Sequence, residues 1–370
     1  MRIMITGVGG FIGRNLAVRL EERGYTDVMG VARANSLDEL EKAVAEADFV
    51  FHLAGVNRPQ DEADFTTGNV SLTEALCAAL ARTGRRVPVV YSSSAQALLA
   101  NTYGRSKLAA EKALISYAEA TGATACILRL PNVFGKWSRP HYNSAVATFC
   151  HQVARGLPIT VNSREAPLNL IYVDDVVEVF VGILANPGRG GRMIEAGPIY
   201  ATTVGEIADA IQSFPQARQS LMTERVGTGL LRALHATYLS FLPPAKFAYD
   251  VPCYADPRGE FVEMLKTPDC GQLSYFTAPP GVTRGEHYHH SKTEKFLVVR
   301  GTARYQFRHI VTDETHEIVV RGGEGRIVET VPGWTHNITN VGDDELIVML
   351  WANEIFDREK PDTFARKVFS

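Results

Sequence analysis

The sequence has no apolar run approaching the length that spans a bilayer, so no transmembrane helix is expected. Cysteine is scarce. The five residues Cys77, Cys126, Cys150, Cys253 and Cys270 are odd in number and show no close spacing. That argues against a disulfide framework or a cysteine-built zinc site, and it suits core positions in a reducing compartment. Excess positive charge is also missing. A formal net charge of −3 gives no reason to expect nucleic acid or an anionic membrane as partner. Internal repeats and low-complexity tracts are absent. The chain opens MRIMITG, a first strand that leaves no room for a signal peptide. A cytoplasmic protein is expected.

At 370 residues the chain exceeds one typical domain and suggests two. In the first part short apolar runs alternate with helical patterns: RIMITG, VMGVAR (28–33), FVFHLAG (49–55) and PVVYSSSA (88–95) are strands, with DELEKAVAEAD and TEALCAALART as helices between them. This order predicts an α/β Rossmann-type doubly wound parallel sheet. His52 lies inside an apolar strand and reads as structural. Around Pro243 and Pro244 the helical periodicity stops. Alternating strands follow: QLSYFTA, EKFLVVRG, ARYQFRHI, HEIVV, RIVETV, HNITNV and ELIVMLWA. They predict an all-β antiparallel barrel. The expected domains are residues 1–244 and 250–370.

Chemistry in the first part centres on four features. Gly7, Gly10 and Gly13 follow the first strand as GxxGxxG, where glycines permit a tight turn and let a pyrophosphate approach a helix N-terminus. Arg33 closes the second strand where an acid would meet a ribose 2′-hydroxyl. A guanidinium there suits a 2′-phosphate, so NADPH is expected over NADH. Tyr103 and Lys107 lie four apart, on one helix face, so that an ammonium can lower the pKa of a phenol; Ser94 ends the preceding strand and is placed to anchor a carbonyl. Trp137, Arg139, His141, Tyr142 and Asn143 form a polar-aromatic cluster suited to a nucleotide or sugar, with the surface-loop reading equally open.

In the second part His287 and His289 are two apart, a spacing that puts both on one face of a strand. Glu294 follows a short polar turn, and His336 comes from a later strand. Three imidazoles and one carboxylate are a ligand set for a divalent metal with a position left open. Zinc is the first choice, and iron, manganese or nickel also suit these donors. His290 is a substitute or neighbour of the cluster, and Lys292, Tyr305 and His309 are candidate proton carriers.

Gly281, His287, His289, Glu294 and Gly301 match the first cupin motif in order and spacing; Gly325, Gly333, His336 and Asn340 resemble the second, with Pro332 directly before Gly333. The first part resembles the extended short-chain dehydrogenase/reductases in GVGGFIG, HLAG, Asn69, YGRSK, RLPNVFG and YVDDV. That resemblance implies Ser94, Tyr103 and Lys107 as catalytic residues. It also implies cofactor contacts at Gly7, Gly10, Phe11, Ile12, Gly13, Leu53, Ala54, Gly55, Asn69, Tyr103 and Lys107, and substrate contacts at Asn132, Trp137, Arg139, Tyr142 and Asn143. The two halves together, with HLAGVNRP, PNVFGKW, SAVATFC and GEFVEMLKTPD, resemble the CapF-type enzymes of capsular polysaccharide synthesis. The resemblance implies a UDP-activated 4-keto-6-deoxy-N-acetylhexosamine as substrate. The cupin would invert C3, and the reductase would then reduce C4 with NADPH. The product would be UDP-2-acetamido-2,6-dideoxy-L-talose, on the route to UDP-N-acetyl-L-fucosamine. A homodimer is implied too. The alternative is a reductase alone, with the cupin a metal-stapled structural or dimerising module.

Overall fold

Strand β1 (Ile3–Thr6) turns both of its faces inward, and every residue of it is buried. Strands β2 (Val28–Val31), β3 (Phe49–His52), β4 (Val89–Ser94) and β5 (Ala125–Leu130) continue the sheet. β6 (Asn132–Phe134), β7 (Pro167–Tyr172) and β9 (Tyr200–Thr203) form a separate three-stranded sheet, while β8 (Gly191–Met193) joins the first. The main sheet runs β2-β1-β3-β4-β5-β8, all parallel. Period two accounts for the core. Met4, Val50, Val89, Tyr91 and Ile127 meet the helices Leu37–Glu46, Leu72–Arg82 and Thr102–Thr121 on one face. On the other, Phe51 packs on Phe180 of the helix Val173–Ala185, ring centroids 5.7 Å apart. This is a Rossmann-like fold, and the computed structural model describes residues 1–32, 36–59 and 61–369.

Two compact units result: Met1–Ile211 with Gly229–Leu242, and Gln212–Thr228 with Pro243–Ser370. Residues 212–228 therefore group with the second unit, whereas the sequence pattern assigns them to the first. The cause is backbone pairing with the strand carrying Lys266. Its N–H donates to the Leu221 carbonyl and its carbonyl accepts from Thr223 N–H, both at 2.8 Å. Arg225 adds a two-point ion pair to Asp269.

The second unit is built from β10 (Cys253–Asp256), β11 (Gly259–Thr267), β12 (Gly271–Ala278), β13 (Thr283–Tyr288), β14 (Glu294–Arg300), β15 (Thr302–His309), β16 (Thr315–Arg321), β17 (Ile327–Glu329), β18 (Trp334–Asn340), β19 (Leu346–Ala352) and β20 (Phe364–Ala365). They make two antiparallel sheets, β10-β11-β12-β19-β14-β17 and β16-β15-β18-β13-β20. Alternate residues of each sheet point inward: Phe276, Phe296, Val298 and Val348 from one, and Ala303, Tyr305, Phe307 and Ile338 from the other, fill a shared core. This is a cupin-like barrel.

Candidate functional site

The first unit holds a cleft of about 970 Å³ across the ends of β1, β3, β4 and β5. Gly7, Gly10, Phe11, Ile12, Gly13, Leu53, Gly55, Ser94, Tyr103, Lys107, Asn132, Arg139, Tyr142 and Asn143 all line it. Gly7 sits at φ 73°, and a Cβ there would stand 2.8 Å from the Ala54 nitrogen, so only glycine closes this turn. The helix Phe11–Glu22 starts at Gly10 without a side-chain cap, which leaves its first amides free at the cleft. Asn101 caps the helix Thr102–Thr121, accepting from Gly104 N–H at 2.7 Å, and so fixes the turn that bears Tyr103. Gly104 itself packs so closely on the Gln96 carbonyl that a Cβ would lie 2.1 Å from it.

Lys107 is buried and donates from Nζ to the Ser92 carbonyl at 3.0 Å. Burial lowers its pKa to about 8, against the opposing charge of Glu111. Burial likewise raises Tyr103, opposed by a hydrogen bond from Ser94 and reinforced by Tyr142. The expected lowering of the phenol by Lys107 is therefore not what this geometry gives. The ammonium is spent on a backbone carbonyl, and desolvation dominates at Tyr103.

Other expected residues take different places. Asn69 does not line the cleft. It is buried and clamps the loop after β3, accepting from Val56 N–H at 2.8 Å and donating to the Val56 carbonyl and to Ser106 Oγ. Ala54 is held by its N–H, which donates to Thr6 Oγ1 at 3.2 Å. Trp137, at φ 66°, is 43% exposed, and its carbonyl accepts from Arg14. Tyr142 reaches the cleft and donates to Asn57 Oδ1 at 2.8 Å, while Arg139 lies over its ring. Arg33 lies outside the described residues. His52 is structural, as expected: its Nδ1 is 2.7 Å from Thr6 Oγ1 and its Nε2 is 2.9 Å from Thr73 Oγ1. Thr73 already donates to the Asn69 carbonyl, so it must accept from Nε2–H, and burial holds the neutral ring at a pKa of about 3.

The sequence reading did not single out the support beneath the cleft. Glu111, buried one turn beyond Lys107, accepts from Ser93 Oγ at 2.5 Å and takes a two-point pair from Arg129. In sequence, Lys107 and Glu111 look like an ordinary surface pair of a helix; only the sheet packed over that face makes them internal.

In the second unit His287, His289, Glu294 and His336 converge, with one ligand atom from each lying within 4.8 Å of the others. His287 is the last but one residue of β13, just after a bulge between Gly285 and His287. His289 lies past the strand end, yet the alternation persists: Tyr288 turns away to stack on Phe364. Gly333, at φ 79°, donates its N–H to the His289 carbonyl at 2.9 Å, so the Pro332–Gly333 pair tightens this turn and leaves His336 in the cluster. Glu294 Oε2 is 3.3 Å from His289 Nε2 and 3.7 Å from His336 Nε2. His289 Nδ1 lies 2.5 Å from the Asp362 carbonyl, which assigns the proton to Nδ1 and leaves Nε2 a lone pair. His336 Nδ1 faces the Trp334 carbonyl at 3.4 Å, and its buried Nε2 makes no hydrogen bond to the described residues.

Three imidazoles and one carboxylate thus face one another in a buried centre, a donor set that fits a cation. Burial works to raise Glu294, but His289, Lys292 and His336 outweigh it and hold the carboxylate at about 2. Burial and His287 lower His336 to about 3. Glu294 therefore stays ionised and His336 neutral, the forms that bind a metal, and burial pushes His287 toward its neutral form as well. Lys292 is buried with Nζ 3.1 Å from Glu294 Oε1. His290 is outside the cluster, its ring against Phe364. His309 Nδ1 is occupied by the Val311 and Thr312 N–H groups, and the Tyr305 hydroxyl is buried without a partner.

Residues 3–197 match the NAD dependent epimerase/dehydratase family, and residues 254–364 match the polysaccharide biosynthesis C-terminal domain. The chain belongs to the NAD dependent epimerase/dehydratase family. Membership implies a nicotinamide cofactor, for which the glycine turn and free helix amides are suited. The chain is 54% identical over 368 residues to the UDP-2-acetamido-2,6-beta-L-arabino-hexul-4-ose reductase of Pseudomonas aeruginosa, covering 100% of this chain and 99% of the relative. The crystal structure of the capsular polysaccharide assembling protein CapF from Staphylococcus aureus matches with TM-score 0.91 at 42% identity, over 100% of both chains. A structure of CapF with the inhibitor 3-isopropenyl-tropolone matches with TM-score 0.86 at 37% identity, again over both full chains.

Proposed function

We propose that this family member is a bifunctional sugar-nucleotide enzyme. Its substrate is a UDP-activated 2-acetamido-2,6-dideoxy-4-ketohexose. The second unit inverts C3, and the first reduces the C4 ketone with NADPH to UDP-2-acetamido-2,6-dideoxy-L-talose. The observation that carries the reading is the presence in one chain of a Ser94–Tyr103–Lys107 cleft and a three-histidine, one-carboxylate cluster. The Pseudomonas relative's printed name supports it, since a hexul-4-ose bears its ketone at C4. So does the tropolone bound to CapF, because adjacent oxygens on a tropolone are a chelating pair.

In the reductase cleft, NADPH supplies the hydride when bound. Tyr103, held protonated by burial, gives its proton to the C4 oxygen. Ser94 hydrogen-bonds the same oxygen and orients it. Lys107 is tied to β4 itself through the Ser92 carbonyl and keeps positive charge under the site. Arg139, Tyr142 and Asn143 bind the sugar nucleotide at the mouth. NADPH over NADH rests on Arg33.

In the cupin-like unit, His287, His289, Glu294 and His336 would hold a divalent ion, zinc first among those the donors suit, which supplies Lewis acidity beside the C4 carbonyl. Removal of the C3 proton then needs a carrier. Lys292 is the candidate whose titrating atom touches the cluster. Epimerisation must come first, because reduction removes the carbonyl that makes the C3 proton acidic. A cytoplasmic homodimer completes the proposal; among the described residues no helix is long and apolar enough to cross a membrane.

Product analysis by NMR after incubation with the UDP-4-keto sugar and NADPH tests this reading. The L-talo configuration is expected. A product reduced at C4 with C3 unchanged would leave a reductase carrying a structural cupin.

A further inference from the structure

Much of what holds the second unit's cluster comes from the last residues of the chain. The Asp362 carboxylate accepts from three consecutive backbone N–H groups, of His290 at 3.0 Å, Ser291 at 2.7 Å and Lys292 at 2.8 Å. It also accepts from the Ser291 hydroxyl at 2.9 Å. One side chain thus ties down the whole turn between His289 and Glu294. The backbone carbonyl of the same residue accepts from His289 Nδ1–H. That bond turns Nε2 toward Glu294.

The following residues hold the other ligand strand. Phe364 and Ala365 pair with Tyr288 and His287. Arg366 N–H donates to the Glu286 carbonyl at 2.9 Å, and Val368 N–H donates to the Glu286 carboxylate at 2.7 Å. Glu286 sits at φ 62°, a left-handed backbone that a glutamate adopts only when its surroundings impose it, and it stands at the bulge that aims His287. Thr335, next to His336, donates its hydroxyl to the Arg366 carbonyl at 2.5 Å. Three of the four ligands therefore have a hydrogen bond from this segment to themselves or to a chain neighbour.

We infer that residues 362–368 form a strap that positions the metal ligands, with Asp362 the positioning residue for His289 and the turn beyond it. The inference rests on reading the cluster as a metal centre. Groups that orient metal ligands typically change affinity 10–100-fold when removed. Linkage adds a second consequence. If the docked strap favours metal, bound metal must favour the docked strap by the same factor.

The experiment uses the full chain and zinc alone. Zinc affinity is measured by competition with a chromophoric chelator for wild type, Asp362→Ala and Asp362→Asn. Asp362→Ala keeps the backbone carbonyl but frees the turn at 290–292, and with it loosens that carbonyl's hold on His289, so it is expected to bind about tenfold more weakly, the low end of that range. Asp362→Asn should recover part of the loss, because its amide oxygen still accepts backbone N–H groups. With cobalt in place of zinc, the visible bands of Asp362→Ala should differ from wild type, which a general loss of stability would not produce. Carboxypeptidase digestion of the wild-type C-terminus, slower with zinc than after chelation, is the arm that needs no variant. If wild type binds neither zinc nor cobalt, the metal reading itself fails and the strap falls with it. If wild type binds zinc while Asp362→Ala binds within twofold and the tail is digested equally fast with and without metal, the strap is overturned and the metal centre stands.

Discussion

Replacing Glu294 with glutamine probes the cupin centre most sharply. The carboxylate is buried and divides its oxygens: Oε1 meets Lys292 Nζ at 3.1 Å, and Oε2 faces His289 and His336. Glutamine keeps the shape and removes the charge. Lys292, only 8% exposed, is then left as an ammonium with its anion gone. Removing one partner of a buried ion pair costs roughly 3–5 kcal/mol, so the metal-free protein should lose about that much at the transition of its second unit. Urea denaturation after chelation, followed by tryptophan fluorescence, measures it. His336→Ala provides the contrast. Its Nε2 has no hydrogen-bond partner, so its removal strands no charge, and the loss should fall on zinc affinity more than on metal-free stability. The reasoning is refuted if Glu294→Gln leaves the metal-free transition where wild type has it.

Tyr103→Phe removes the proton donor and should slow reduction of the 4-keto sugar about 10²–10⁴-fold, with NADPH affinity within about twofold of wild type; stopped-flow absorbance of the cofactor reads both. Gly7→Ala puts a Cβ 2.8 Å from one Ala54 backbone atom and 2.9 Å from another at φ 73°, so NADPH binding should weaken at least roughly tenfold while zinc affinity holds, as calorimetry would show. His52 has a folded-state pKa of about 3 against 6.5 for the free side chain, so the unfolded chain binds the extra proton below pH 6.5. Stability from this group is full above pH 6.5 and falls by about 1.4 kcal/mol per pH unit toward pH 3. Denaturation midpoints between pH 7 and 5 should show a shallower slope in His52→Gln.

The two-part architecture was legible because each part has its own period. Runs such as FVFH, buried on both faces, imply a parallel sheet covered by helices, and the alternation in ARYQFRHI implies a barrel wall. His287, His289, Glu294 and His336 could be picked out because their residue types are costly to bury without a partner. Residues that act through geometry were not legible. Asp362 is about seventy residues from the histidine it orients, and nothing in KPDTFARK marks it. Asn69 reads as a cofactor contact in sequence, while its clamp on the loop at Val56 depends on which way a buried amide points and has no sequence signal. The position of 212–228 was missed for a related reason: its pairing with the strand around Lys266 is backbone to backbone and leaves no side-chain pattern.

The proposal that one ketone is handled twice is tested most directly with Tyr103→Phe protein loaded with zinc, incubated with the UDP-4-keto sugar in heavy water without NADPH. Proton NMR is expected to show deuterium entering at C3 at a rate close to that of wild type, and no exchange in His336→Ala. A C3 proton that persists in the presence of metal-loaded protein would contradict the epimerase role and leave the barrel a structural module.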